Sequence, residues 1–318
     1  MVDRRNLLTS ISVATICGVL SSNPAFAAAK RLLFVHGRSQ QGRDPAEIKS
    51  EWLGALKKGT DAIGMAMPGD IEIALPFYGD TLDEFARQLE VPLTSDIHEK
   101  GGETVDEFLL FQAQLADEVR KRAGVTDAQI DAEYGQNPKQ KGPLNWDWVQ
   151  AIIKAIDKHG GGISQNALEI FTRDVFLYTT RSGVRDEIDR IVTAALTEEP
   201  TIVVAHSLGS VVAYNILRTD SRNLKIPLFV TVGCPLGIRA ISKNLRPLRY
   251  PAPANAWYNA FDDRDVVALF PLDQQNFPVM PEIENYADVK NSTDNRHGII
   301  GYLDDKSVAN KILGGLGG

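Results

Sequence analysis

Short apolar runs and longer amphipathic stretches alternate along most of the chain. Leu32-Leu33-Phe34-Val35 is a compact apolar run that stops at His36-Gly37, the pattern of a buried strand ending in a turn. Residues 45–58 follow with a helical pattern, and Ile71-Glu72-Ile73-Ala74-Leu75 alternates before Pro76, as a strand does. From about residue 82 to 165 the character changes. Residues 105–122 and 148–158 carry helical spacing on either side of a polar Pro/Gly loop at 134–143. Two helices around such a loop read as an insertion, placed either as a cap over a site or as extra helices packed on one flank. Phe108, Leu109 and Phe111 share part of one helical face within it, so core packing is their expected use.

Further on, residues 184–196 bring Ile188, Ile191, Val192 and Ala195 to helical spacing. Thr201-Ile202-Val203-Val204 is too apolar for a half-exposed strand and suits a parallel sheet covered on both faces. A helix over 208–218 follows, carrying Val211, Val212, Ile216 and Leu217. Leu228-Phe229-Val230-Thr231-Val232 and Ala256-Trp257-Tyr258-Asn259-Ala260-Phe261 are further strand candidates. Residues 303–313 read as a last helix, and the glycine-rich 314–318 as a frayed tail. Strands alternating with helices predict an α/β fold, a mainly parallel sheet flanked by helices.

The first residues read differently. Arg4 and Arg5 precede an uncharged stretch at 7–20 and the exit Ala25-Phe26-Ala27, the three parts of an export signal. The stretch falls short of the about 20 residues that a membrane span needs. The paired arginines before Asn6-Leu7-Leu8 also fit a twin-arginine leader. The expected organisation is a leader at 1–27 and one domain at 28–318, exported to a periplasm or secreted, with no stable membrane span. Of the two cysteines, Cys17 falls in the leader, so the mature chain keeps Cys234 alone and can form no internal disulfide. A net charge of −7 in 318 residues argues against a nucleic-acid partner, which would ask for a basic patch.

The chemistry concentrates at Ala205-His206-Ser207-Leu208-Gly209. A serine flanked by very small residues two positions away, between a strand and a helix, is the nucleophile-elbow pattern. The turn is tight and strained, and a larger side chain at Ala205 or Gly209 would crowd it. A serine at neutral pH needs a base, normally a histidine oriented by a carboxylate. Five histidines are present. His98 and His159 lie in the insertion, His36 ends the first strand, and His206 is expected to pack in the core. His297, in a polar loop downstream of the serine, suits the order Ser…Asp…His. The acid is expected at Asp262-Asp263-Arg264-Asp265, just after a strand. Asp265 is preferred because Val266 and Val267 return the chain to packed structure; Asp263 is the alternative and Asp262 the third candidate. Backbone donors for an oxyanion would be the N–H of Leu208 and that of Arg38, after the turn at Gly37.

Together, Phe34-Val35-His36-Gly37, the Ser207 segment, the loop around Asp265 and His297 resemble the α/β-hydrolase superfamily, in its serine esterase and lipase-like part. Ala205 stands where that family usually has glycine, the HGGG form of the oxyanion loop is absent, and the insertion at about 82–165 matches no part of it. The resemblance implies an α/β-hydrolase fold and a Ser207–His297–Asp265 triad that cleaves a small-molecule or lipid-like carboxylic ester. Thioester, amide or acyl-transfer chemistry would use the same residues, and a non-catalytic binding protein would use the same scaffold. No cofactor or metal is expected: no G-x-G-x-x-G follows a strand, no P-loop or H-x-x-x-H pair occurs, and Asp262–Asp265 lacks EF-hand spacing.

Overall fold

The computed structural model describes residues 29–96, 103–136 and 140–317. The leader at 1–27 with its cleavage point, and His98, lie outside the described residues.

The chain starts with β1 (Arg31–Val35) and α1 (Pro45–Asp61), whose first turn is closed by Asp44 accepting from the Ala46 N–H, with Pro45 at the start. Then come β2 (Glu72–Ala74) and a run of helices: α2 (Gly79–Gln88), α3 (Glu103–Arg122), α4 (Asp127–Tyr134), α5 (Trp146–His159), α6 (Gln165–Thr180) and α7 (Ser182–Ala194). The second half alternates: β3 (Thr201–His206), α8 (Leu208–Thr219), β4 (Phe229–Val232), α9 (Arg239–Ser242), β5 (Trp257–Ala260) and β6 (Glu284–Tyr286). It ends in α10 (Ile299–Leu303) and α11 (Lys306–Gly315).

Among the described residues the strands form one sheet in the order β2-β1-β3-β4-β5-β6, with every neighbouring pair parallel. The architecture is α/β, consistent with an α/β-hydrolase-like fold. Alternation along the strands divides the core in two, because successive side chains point to opposite faces. Leu33, Val35, Val203 and Ala205 face the layer built by α2 to α8. Leu32, Phe34, Ile202 and Val204 face α1, α10 and α11, where the Phe34 ring lies 5.1 Å from that of Trp52.

The helices of 82–165 share the first of these cores rather than standing apart. Phe108 and Phe111 of α3 pack on Phe176 of α6, with ring centroids 5.3 and 5.5 Å apart. Leu109 is also buried, and only Leu110 of that apolar run is exposed. The insertion also reaches the segments after β4 and β5. Glu118 of α3 accepts from the N–H groups of Arg239 and Ala240 at 2.7 and 3.0 Å, and the Arg122 Nε–H donates to the Leu269 carbonyl at 3.1 Å.

Two expectations near the carboxyl terminus need correction. A single helix over 303–313 is replaced by α10 and α11, separated where Asp305 accepts from the N–H groups of Ser307 and Val308 and starts a new helix. The tail is not frayed at 314–316: Gly314 and Gly315 belong to α11 and Leu316 is buried. Gly315 fits against β3 because a β-carbon there would stand 2.7 Å from the Ile202 side chain.

Candidate active site

In this strand order β1 lies between β2 and β3, so the chain reverses its direction of travel across the sheet between β1 and β3. Open α/β sheets bind ligands at such a switch point, outside the carboxyl ends of the strands. Gly37 follows β1 there, and Ser207 follows β3.

Ser207 joins β3 directly to α8 with φ 56° and ψ −128°, a backbone state that costs a non-glycine residue about 1–3 kcal/mol. Its N–H is held by the Val232 carbonyl at 3.1 Å. The turn closes only because its neighbours are small. A β-carbon at Gly37 would lie 2.9 Å from the Ser207 β-carbon and 3.2 Å from the His206 carbonyl oxygen. One at Gly209 would meet the carbonyl oxygens of Val35 and His36, the latter at 2.5 Å. Backbone cannot retreat as a side-chain tip can, so Gly209→Ala is expected to cost about 3 kcal/mol of stability, read as a lower urea midpoint. An unchanged midpoint would mean that β1 and α8 do not approach so closely. Ala205 is fully buried, and its carbonyl accepts from the Ser210 hydroxyl at 3.0 Å.

The Ser207 Oγ lies 2.8 Å from the His297 Nε2, and the His297 Nδ1 lies 2.7 Å from the Asp265 Oδ2. Ninety residues separate the first pair and 32 the second. All three are withdrawn from solvent: Ser207 exposes 1% of its surface, Asp265 none and His297 9%. With a carboxylate on Nδ1, the imidazole carries its proton there and turns a bare Nε2 toward the hydroxyl.

His297 is held by its own loop and by β3. Its N–H donates to the Asn295 side chain at 3.1 Å, and Asn291 donates to the Gly298 carbonyl at 2.8 Å. The His206 Nε2–H donates to the His297 carbonyl at 2.7 Å, with the two rings 4.8 Å apart. The sequence predicts only core packing for His206, but the side chain also braces the loop that carries His297. Burial, and then the neighbouring His297, push His206 well below its ordinary pKa, so it stays neutral. Gly233, at φ 57°, leaves room for the same ring; a β-carbon would stand 3.1 Å from the His297 Cε1.

The three acid candidates have distinct surroundings. The Asp265 Oδ1 accepts from the Val267 N–H at 3.0 Å, while Oδ2 accepts from His297 and from the Tyr302 hydroxyl, the latter at 2.5 Å. Asp262 is equally buried, but its oxygens are taken by the N–H groups of Arg264 and Asn291, both at 2.8 Å. It ties the turn after β5 to the His297 loop. Asp263 is 61% exposed at its side chain, 3.8 Å from each of Arg264 and Lys290.

The turn after β1 is fixed by His36. The Tyr78 N–H donates to the His36 Nε2 at 3.1 Å, so the ring proton is on Nδ1 and donates to the Gly37 carbonyl at 2.6 Å. Burial lowers the His36 pKa to about 4 and keeps this tautomer neutral. Among the described residues no acceptor takes the N–H of Arg38 or of Leu208. The Cys234 thiol is buried and pushed up to about 12 by desolvation. Among the described residues no group of three His, Cys, Asp or Glu side chains is placed to hold a metal, and no helix is long and apolar enough to cross a membrane.

The structure thus brings Ser207, His297 and Asp265 into one hydrogen-bonded chain, with Gly37, Leu208 and Gly209 around it, and leaves Asp263 outside. Sequence reasoning did not find Tyr302, Gly233 or the bracing role of His206. A tyrosine in a helix and a glycine after a strand carry no signal of their own. Comparison of the chain with models of known protein families, with curated proteins and with solved structures returns no match.

Proposed function

We propose that the protein is a serine hydrolase that cleaves a carboxylic ester through an acyl-enzyme. The observation that carries this reading is the pair of short hydrogen bonds linking Ser207 to His297 and His297 to Asp265, from three separate loops at the carboxyl end of one sheet. Structural serines and histidines are common in cores. A serine on a strained strand-to-helix turn, facing the unprotonated nitrogen of a carboxylate-bound histidine, is the arrangement nucleophilic catalysis requires.

In the first half-reaction the Ser207 Oγ attacks the ester carbonyl as its proton passes to the His297 Nε2. Charge gathers on the carbonyl oxygen, where the N–H groups of Leu208 and Arg38 would donate. The tetrahedral species collapses as His297 returns the proton to the departing alcohol, leaving an ester on Ser207. Water then repeats the cycle: His297 takes its proton, the carboxylic acid leaves and the Ser207 hydroxyl is restored. Asp265 holds the imidazole in one tautomer and stabilises the imidazolium. Burial of the triad strengthens each of these interactions relative to water.

The test is a panel of p-nitrophenyl esters graded by acyl length, each assayed for steady turnover and for an initial burst of nitrophenol. Saturable release above the uncatalysed rate, selective in acyl length, is expected. Release of nitrophenol no faster than buffer across the panel, with the matching thioesters and amides also inert, would contradict the reading. Export rests on the leader at 1–27, and intact mass of the secreted chain is expected to show a mature protein starting at Ala28.

A further inference from the structure

Tyr302 is fully buried in α10, five residues beyond His297, and its ring packs in the core between the sheet and α1. Packing alone would be satisfied by phenylalanine. The hydroxyl, however, sits between two polar groups that fix its direction. The Asp262 backbone N–H lies 3.3 Å away and can only donate, so the oxygen accepts there. Its single proton is then free for the Asp265 Oδ2 at 2.5 Å. That same oxygen accepts from the His297 Nδ1 at 2.7 Å. The three donors His297, Tyr302 and the Val267 N–H leave Asp265 one orientation.

We infer that Tyr302 is a positioning residue of the triad, whose hydroxyl donates to the carboxylate oxygen shared with His297 and so sets both the angle and the basicity of the Asp265–His297 pair. The inference rests on the triad reading and deepens it. A second donor on Oδ2 draws charge from the oxygen that faces the imidazole, weakening the pull of Asp265 on the imidazolium. Without it the carboxylate holds the His297 proton more tightly. General-base action at the site is then expected to set in at higher pH.

Burial, and then the Asp265 charge, raise Tyr302 well above its ordinary range, so the phenol keeps its proton wherever the enzyme works. The other titratable groups facing the cluster are Asp262, whose carboxylate is occupied by backbone donors with the Arg264 guanidinium 3.6 Å away, and His206, which stays neutral. Gly233 adds no charge from the β4 side, where a β-carbon would touch both the Tyr302 and His297 rings.

The test compares wild type with Tyr302→Phe in pH profiles of kcat/KM and in kcat and KM taken separately. A kcat about tenfold lower with KM unchanged is expected, as for losing one hydrogen bond to a charged group. The acidic limb of kcat/KM is expected to move up by about 0.5–1 pH unit. A folded variant with the wild-type profile would overturn the inference. Should Tyr302→Phe not fold, 3-fluorotyrosine incorporated throughout the wild-type chain gives a stronger phenol donor at this site. The limb is then expected to move down, and an unmoved limb would overturn the inference.

A readout independent of turnover separates this claim from the esterase reading. Proton NMR of the strongly deshielded imidazole Nδ1–H of His297 is expected to move further downfield in Tyr302→Phe. It should move upfield in the fluorinated protein. If no ester, thioester or amide is turned over but the resonance moves, the hydrolase reading fails and the coupling stands; if esters are turned over and the resonance is unmoved, the reading stands and the role of Tyr302 is overturned.

Discussion

Ser207→Ala is expected to lower kcat by about 10⁶-fold, the scale seen when a serine hydrolase loses its nucleophile. Neither of two nearby candidates, Cys234 and Ser210, supplies a substitute. The Cys234 thiol is pushed up to about 12 and enclosed, and the Ser210 hydroxyl is committed to the Ala205 carbonyl. The fold should survive, because the turn is held by the Ser207 N–H to Val232 and by the close approach of Gly37 and Gly209, none of which uses the hydroxyl. The variant gives up one hydrogen bond to His297, a cost of about 1 kcal/mol or less. Steady-state kinetics with the best ester, together with a thermal melt, checks both halves. A folded variant retaining a hundredth of the wild-type rate would place the nucleophile elsewhere.

Asp265→Asn is expected to lower kcat by about 10⁴-fold, and Asp263→Asn to leave it within about twofold of wild type. The amide can still accept from Val267, so the loop should keep its path, but its NH2 group can donate to the His297 Nδ1. That stabilises the tautomer with the proton on Nε2, where it faces Ser207 and blocks proton transfer. Asp263 touches only exposed cations at 3.8 Å, contacts that are worth little in water. Asp262→Asn differs from both. It weakens one backbone hydrogen bond within the β5 turn, from Arg264, and one that joins the turn to the His297 loop, from Asn291, so its damage should appear in the melting temperature as well as in kcat. Activity lost with Asp263→Asn and kept with Asp265→Asn would contradict the assignment.

Much of this was legible in the sequence because a few local rules coincide. The strands of the buried sheet announce themselves as apolar runs, and Ser207 stands out because small residues flank it at the junction of two periodicities. Asp265 differs from its neighbours in a way the sequence displays: Val266 and Val267 follow it, and both are buried, so the chain turns inward there. Elements without such contrast stayed hidden. β6 is the polar triplet Glu284-Asn285-Tyr286 at the sheet edge, with nothing apolar to mark it. α6 is buried along most of its length, including Glu169 and Asp174, which erases the one-sided stripe that reveals a helix.

The contacts that complete the candidate site were out of reach for a different reason. Tyr302 meets Asp265 across 37 residues, and His206 meets the His297 loop across 91. Neither distance is encoded in a local pattern; each depends on where the sheet sets down its loops. The break between α10 and α11 was readable after all. Asp305 two residues before Ser307 is a helix-start signal, masked by the apolar spacing that runs through it.

The most direct test of the triad is labelling with a fluorophosphonate, read by intact mass, on the folded protein without its leader and on its Ser207→Ala variant. The Ser207 Oγ attacks phosphorus, fluoride leaves, and the adduct records a serine activated by its own histidine. One adduct on the wild type and none on Ser207→Ala is the expected result. An unlabelled, folded wild type, or equal labelling of both proteins, would contradict an activated nucleophile at Ser207.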